Sequence, residues 1–279
     1  MNRKQIADLI LERLYQEYDN LQAFYAAQPI PYFYLDDLLP EDLAQQIRQA
    51  FPAGENMHIK KSLRELKYIA AQLNQYDPIL EEVTYAFQDP RVVSLVGEIT
   101  RIDEIEPDEL LYAGGISMMA KGHFLNPHLD NSHDKERARY RVLNLLYYVS
   151  PDWRLENGGN LELWPNGPKE QQITVESRFN RLAVMATNQH SWHSVSPVQT
   201  DQMRCCVSNY YFSPKSPDEA DYFHVTSFRG RPEQAVRDVV LQADQALRMG
   251  IRKIFPGGVV KNKHFYQKDD NSAEDESKQ

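Results

Sequence analysis

Apolar positions near the start of the chain recur every three or four residues, at Ile6, Leu9, Ile10, Leu14, Tyr18, Leu21 and Tyr25. That period puts them on one face and predicts a single long amphipathic helix, ended by Pro29 and Pro31. Tyr32-Phe33-Tyr34-Leu35 then reads as a short strand, and Pro40 opens a second helix running to about Phe51. Two weaker helical patterns follow, from Ser62 to Leu73 and from Ile79 to Phe87.

The pattern changes near Leu110. From there to Phe212 the chain consists of short β-favouring runs split by Gly, Pro and Asn: Gly115 to Ala120, Val142 to Val149, Asn160 to Trp164, Ile173 to Val175, Arg181 to Thr187 and Cys205 to Phe212. There is no alternation with helices and no glycine-rich nucleotide loop. The expected fold is therefore a mostly β core with flanking helices, of the jelly-roll or sandwich kind. After Pro214 the pattern is helical again: Pro232 marks a helix start, Ala235, Val236, Val239, Val240, Ala243 and Leu247 form one face, and Gly250 is a stop. The plan is one domain over residues 1–267, with a helical N-terminal layer (1–109), a β core (110–213) and a helical C-terminal layer (214–267). Residues 268–279, polar and rich in acids, read as a disordered tail.

Composition narrows the chemistry. A formal charge of -9 leaves no basic excess for a nucleic acid or an anionic membrane surface. Apolar runs such as Ala23 to Ala27 stop at five residues, far short of the ~20 of a membrane-spanning helix. The charged first residues lack a signal-peptide pattern, so cytoplasm is the expected compartment. The two cysteines, Cys205 and Cys206, are adjacent and point to opposite faces of an extended chain, which excludes a disulfide between them and a thiolate zinc site. Metal chemistry here must use histidine and carboxylate.

His128 and Asp130 stand two positions apart on an extended segment and so project to one side, where they could grip one ion. His193, in His-Ser-Val-Ser-Pro-Val, can join them because a jelly roll folds distant strands together; His190 competes for the role but lies outside that strand pattern. Two histidines and one carboxylate with open positions are the donor set of non-haem Fe(II) oxygenases. Arg204 opens an apolar strand, where a buried guanidinium needs an anion: an ordinary ion pair, or the distal carboxylate of a 2-oxo acid.

The ordered set H-x-D at 128–130, Arg141-Val-Leu-Asn144-Leu-Leu-Tyr-Tyr148, GGNLELW at 158–164, HSVSPV at 193–198 and Arg204 resembles the Fe(II)/2-oxoglutarate-dependent dioxygenases, in their prolyl-4-hydroxylase-like branch. The resemblance covers about Leu110 to Phe212, with a similar strand-and-helix lead-in from Pro31 to Pro52. It implies a double-stranded β-helix, cupin-like, and makes His128, Asp130 and His193 the iron ligands. It assigns Arg204 and Tyr148 to the 2-oxoglutarate C5 carboxylate, points Asn144 into the same pocket, and gives Gly158-Gly159 a backbone role in a turn. Arg141 matches a substrate-side arginine and reads equally as a strand-end surface charge; Trp153 and Trp192 read as pocket walls or packing. Met119 stands where many members of the family have a tyrosine that contacts substrate or cosubstrate, and Cys206 stands where a serine often assists the arginine.

What the resemblance implies chemically is Fe(II) with 2-oxoglutarate and O2 as cosubstrates, succinate and CO2 as co-products, and room for ascorbate as reductant. The carboxylate at 130 argues for hydroxylation over halogenation. The expected substrate is a small molecule, a secondary metabolite such as an alkaloid or toxin. Hydroxylation of a prolyl or other residue in a protein or free amino acid is the alternative within enzymes, and a non-enzymatic β-barrel ligand sensor the alternative outside them. Neither nucleic acid nor membrane is an expected partner.

Overall fold

Strand-period alternation builds the core of this computed structural model, which describes residues 1–218, 220–254 and 266. In the N-terminal part, α1 (Arg3–Gln16), α2 (Tyr18–Ala26), β1 (Tyr32–Leu35), α3 (Glu41–Gln49), the hairpin β2 (His58–Lys61) and β3 (Glu65–Ala70), α4 (Pro78–Ala86) and α5 (Pro90–Thr100) follow in order. The β core then runs through β4 (Glu106–Pro107), β5 (Gly115–Met119), β6 (Phe124–Leu129), β7 (Tyr140–Tyr148), β8 (Leu161–Leu163), β9 (Ile173–Val175), β10 (Arg181–Ala186), β11 (His193–Val195), β12 (Arg204–Ser213) and β13 (Ser227–Phe228). One helix, α6 (Ala235–Ile254), closes the described chain.

The strands pair antiparallel in the spatial order β1-β10-β7-β12-β5-β3-β6-β11-β8-β9. This path curls, because residues of β7 and β12 line the same cavity as residues of β6, β8 and β11. The result is the double-stranded β-helix. On β7 the pleat sends Leu143, Leu145 and Tyr147 outward, into one core with Ile6, Ile10, Val83 and Val96 of the helical layer. Asn144 and Leu146 of the same strand face the cavity. The adjacent cysteines divide in the same way: Cys205 joins the helix-facing core and Cys206 the inner one, and both thiols are free.

Three expectations need correction. The first helix is two, since Glu17 leaves helical geometry at φ -111°, ψ 10°. The segment from Ser62 to Leu73 is not helical: β3 pairs with β5 at Tyr68, Ile69 and Ala70 and with β6 at Glu65 and Leu66. Backbone pairing with two strands outweighs a weak helical period there. Gly115 permits the close approach, because at φ +115° a Cβ would stand 2.3 Å from the Ala70 carbonyl oxygen. The third correction concerns the C-terminal layer. α6 continues through Gly250, and its apolar stripe faces away from the core, with Val236 82% and Leu247 65% exposed; Leu241 is the buried contact. The acid-rich tail over 268–279 lies outside the described residues. Among those described, no helix is long and apolar enough to cross a membrane.

Candidate metal centre and cosubstrate pocket

Strand register creates the centre. His128, near the end of β6, pairs directly with His193, the first residue of β11, and their ring centroids lie 4.1 Å apart. Asp130 follows two residues after His128, and one donor atom from each of the three side chains falls within 4.8 Å of the others. Each imidazole bonds a carbonyl two residues earlier: His128 Nδ1 to Asn126 O at 3.0 Å and His193 Nδ1 to Ser191 O at 2.9 Å. With Nδ1 carrying the proton, each Nε2 is a free donor directed at Asp130, 3.6 and 3.7 Å from its oxygens. Burial, then the neighbouring His128, pushes His193 down to about 4, so it is neutral at physiological pH. Burial alone would raise the Asp130 carboxyl, yet Arg141, His128 and His193 hold it well below the ordinary value. Asp130 ionised and His193 neutral are thus ready for a cation without releasing protons. His190 is exposed and outside the cluster.

Arg141 is not a surface charge. It is 4% exposed, its Nη1 lies 3.3 Å from Asp130 Oδ1, and its guanidinium sits over the Tyr210 ring at 4.5 Å. This contact occupies one Asp130 oxygen; Oδ2 is buried with no hydrogen-bond partner.

Deeper in the barrel, Arg204 is 3% exposed and has no carboxylate within ion-pair distance among the described residues. Its Nε donates to Ser177 Oγ at 3.3 Å, and its guanidinium lies over Tyr148 at 4.8 Å. Burial pushes the Tyr148 hydroxyl up to about 12, keeping it a donor, and it has no hydrogen bond of normal geometry although Ser177 and Arg204 stand near. An unpaired buried cation beside an unsatisfied hydroxyl is costly unless an anion reaches both. Asn144 also enters the cavity with its Oδ1 unsatisfied. Gly158, at φ +67°, lies where a Cβ would come 2.0 Å from Pro197 O, which accounts for the glycine pair in the turn before β8.

Residues 114–212 match the sequence profile of the 2OG-Fe(II) oxygenase superfamily. The chain carries a 2OG-Fe(II) oxygenase domain. Over 118 residues it is 26% identical to "Egl nine homolog 1" of Rattus norvegicus, covering 40% of this chain and 33% of the relative. The match therefore spans about a quarter to a third of the length of the curated relatives. Among solved structures, prolyl 4-hydroxylases from Phytophthora capsici align with a TM-score of 0.53 at 16% identity, covering 87% of this chain and 75% of the other. A Pseudomonas putida prolyl-4-hydroxylase aligns at 0.51 and 16% identity, covering 69% and 98%. These structures share the fold.

The oxygenase domain's own residues fit the groups its family is named for. A ferrous ion held by His128, Asp130 and His193 would satisfy the orphaned Asp130 Oδ2. A 2-oxoglutarate whose far carboxylate met Arg204 and Tyr148 would satisfy the two orphans at depth.

The cavity beside this centre has a volume of about 650 Å³. Arg141 and Met119 line it, whereas Trp153 and Trp192 do not. Trp153 is instead 3% exposed, packed with Leu125, Val198 and Phe228, and donates to Gly158 O at 2.9 Å. Sequence reasoning missed the hairpin wall: Glu65 and Lys67 lie in the segment read as helix, and Lys60, before it, was not singled out; it also missed Ser177, which bonds Arg204. The centre is braced from behind. Ser194, next to His193, donates to Glu162 Oε2 at 2.6 Å, and Arg231 Nη2 pairs with the same oxygen at 2.7 Å.

Proposed function

We propose that the protein hydroxylates an unactivated C–H bond of a small molecule, with 2-oxoglutarate and O2 as cosubstrates. When bound, Fe(II) and 2-oxoglutarate supply an oxidative decarboxylation that yields succinate, CO2 and the oxidant for the substrate C–H. His128, Asp130 and His193 would hold the metal on one face. Arg141 would fix the Asp130 carboxylate through Oδ1, and Arg204 with Tyr148 would set the depth and direction of the 2-oxo acid. The dry inner core of Leu146, Leu161 and Cys206 would keep water away.

The small-molecule reading rests on the cavity beside the candidate metal centre, one wall of which is β3, paired with both β5 and β6. Its volume of about 650 Å³ is of ordinary size for a metabolite. A prolyl side chain on a polypeptide would need an open groove beside the metal. The test is anaerobic loading with Fe(II) and 2-oxoglutarate, then O2 in the presence of a metabolite panel or a peptide panel, with succinate scored. Succinate coupled to hydroxylation of a metabolite is expected. Coupling to peptides alone would overturn the substrate class, and binding without any 2-oxoglutarate consumption would overturn the activity.

A further inference from the structure

The chain as a whole is acidic, but the wall of this cavity is not. Six cations line it: Lys60, Arg64, Lys67, Arg141, Arg204 and Arg248, against Glu65 and Asp130. Asp244, which pairs with both Arg64 and Arg248 from outside the lining, brings the acids to three and leaves three cations in excess. Fe(II) and 2-oxoglutarate do not remove that excess, since the dication and the dianion cancel.

One unit of that surplus belongs to the two lysines of the hairpin. Lys60 and Lys67 share a single carboxylate, Glu65, at 4.0 and 3.0 Å. Lys60 lines the same cavity as Asp130 and Arg141 and feels the charge of both. Partial burial, then the repulsion of Lys67, lowers its proton affinity, while its side chain stays 42% exposed to solvent. Arg204 is spoken for by the 2-oxo acid, and Arg141 by Asp130. What is left unbalanced is one positive charge shared by the two lysine ammoniums in the cavity wall and one shared by Arg64 and Arg248.

We infer that the primary substrate carries an anionic group, a phosphate, sulfate or carboxylate, held by Lys60 and Lys67 under the hairpin. The inference rests on the oxygenase reading of the same site and deepens it. Glu65 acts as the placeholder: it tethers the two ammoniums in the absence of substrate and yields them to a better anion. A cationic substrate would meet repulsion from the same wall.

The test has two steps. Wild-type protein is first loaded anaerobically with Mn(II) and radiolabelled 2-oxoglutarate; failure to hold both overturns the metal-centre reading, and this inference with it. Loaded protein is then titrated by calorimetry with phenyl phosphate, phenyl sulfate and benzoate, beside benzyl alcohol and benzylamine. The anions are expected to bind at least ~10-fold tighter than the neutral and cationic probes, with the label retained, because hydrogen bonds to charged groups are the stronger class. The ranking of the three anions identifies the headgroup. K60Q and K67Q should each weaken anion binding by about tenfold, and E65Q, which removes the competing carboxylate, should strengthen it. Opposite signs from neighbouring substitutions separate recognition from damage to the fold. Anion binding that is absent, that displaces the label, that benzylamine equals, or that all three variants leave unchanged would overturn the inference.

Discussion

Removing the charge of Arg204 has consequences in two directions. The guanidinium is 3% exposed, lacks a carboxylate partner among the described residues, and is held by a 3.3 Å bond to Ser177 and the face of Tyr148. In the metal-free protein it is a buried charge with partial compensation, and Arg204→Met, of similar length, removes that burden. Stability without ligands should therefore be equal to wild type or higher, by up to ~2 kcal/mol, once the lost ring contact is set against relieved desolvation. Binding of 2-oxoglutarate should move the other way. A unit charge pair at ~4 Å and effective dielectric ~20 has about 4 kcal/mol of Coulomb energy, of which a charge-assisted bond retains roughly 2–3 after desolvation. That is about 30- to 150-fold in affinity at 1.4 kcal/mol per factor of ten. Calorimetric titration of the Mn(II)-loaded proteins measures the affinity, and chemical denaturation of the apoproteins the stability. An unchanged 2-oxoglutarate affinity, or an apoprotein destabilised by several kcal/mol, would refute the assignment and make Arg204 a structural residue.

Other consequences are more direct. Asp130→Ala should abolish tight Mn(II) binding and succinate formation, and should lower apoprotein stability by ~3 kcal/mol or more by stranding Arg141; equilibrium dialysis and denaturant titration read the two effects. Glu162→Ala breaks a buried ion pair whose members are 6–7% exposed and should cost ~3–5 kcal/mol. Because Ser194 loses its acceptor next to His193, metal affinity should fall as well, which dialysis of the folded variant would show. Asp238, bonded by Arg229 at 2.6 Å and lowered to about 2, ties the strap after β13 to α6. Its folded value lies below the ordinary 3.8, so its contribution is complete above 3.8 and is lost as pH falls toward about 2. Asp238→Asn should flatten that limb of the stability profile, and a profile identical to wild type would count against the tie.

The local pattern of the chain determined a good deal. The short β-favouring runs at 142–149 and 205–212 mark two strands of the core, and the motif resemblance along them points Asn144 and Arg204 to the pocket whose lining they join. The two-residue spacing of His128 and Asp130 and the adjacency of the cysteines have geometric consequences that any extended strand enforces. Tertiary structure alone decided the rest. Whether His193 or His190 completes the donor set depends on the β6–β11 register, a long-range backbone pairing that no local period records. Arg141 became buried, and Trp153 left the pocket, through contacts with residues distant in the chain. The hairpin is the clearest case: Glu65 to Ala70 are half-buried throughout, so their periodicity is indistinct, and they are strand because β5 and β6 offer them backbone partners. Periodicity tells a segment which face is apolar; it does not say what will cover that face. For α6 the described structure leaves that stripe uncovered, and for the β2–β3 hairpin it sets two lysines in the cavity wall of a protein that is acidic overall.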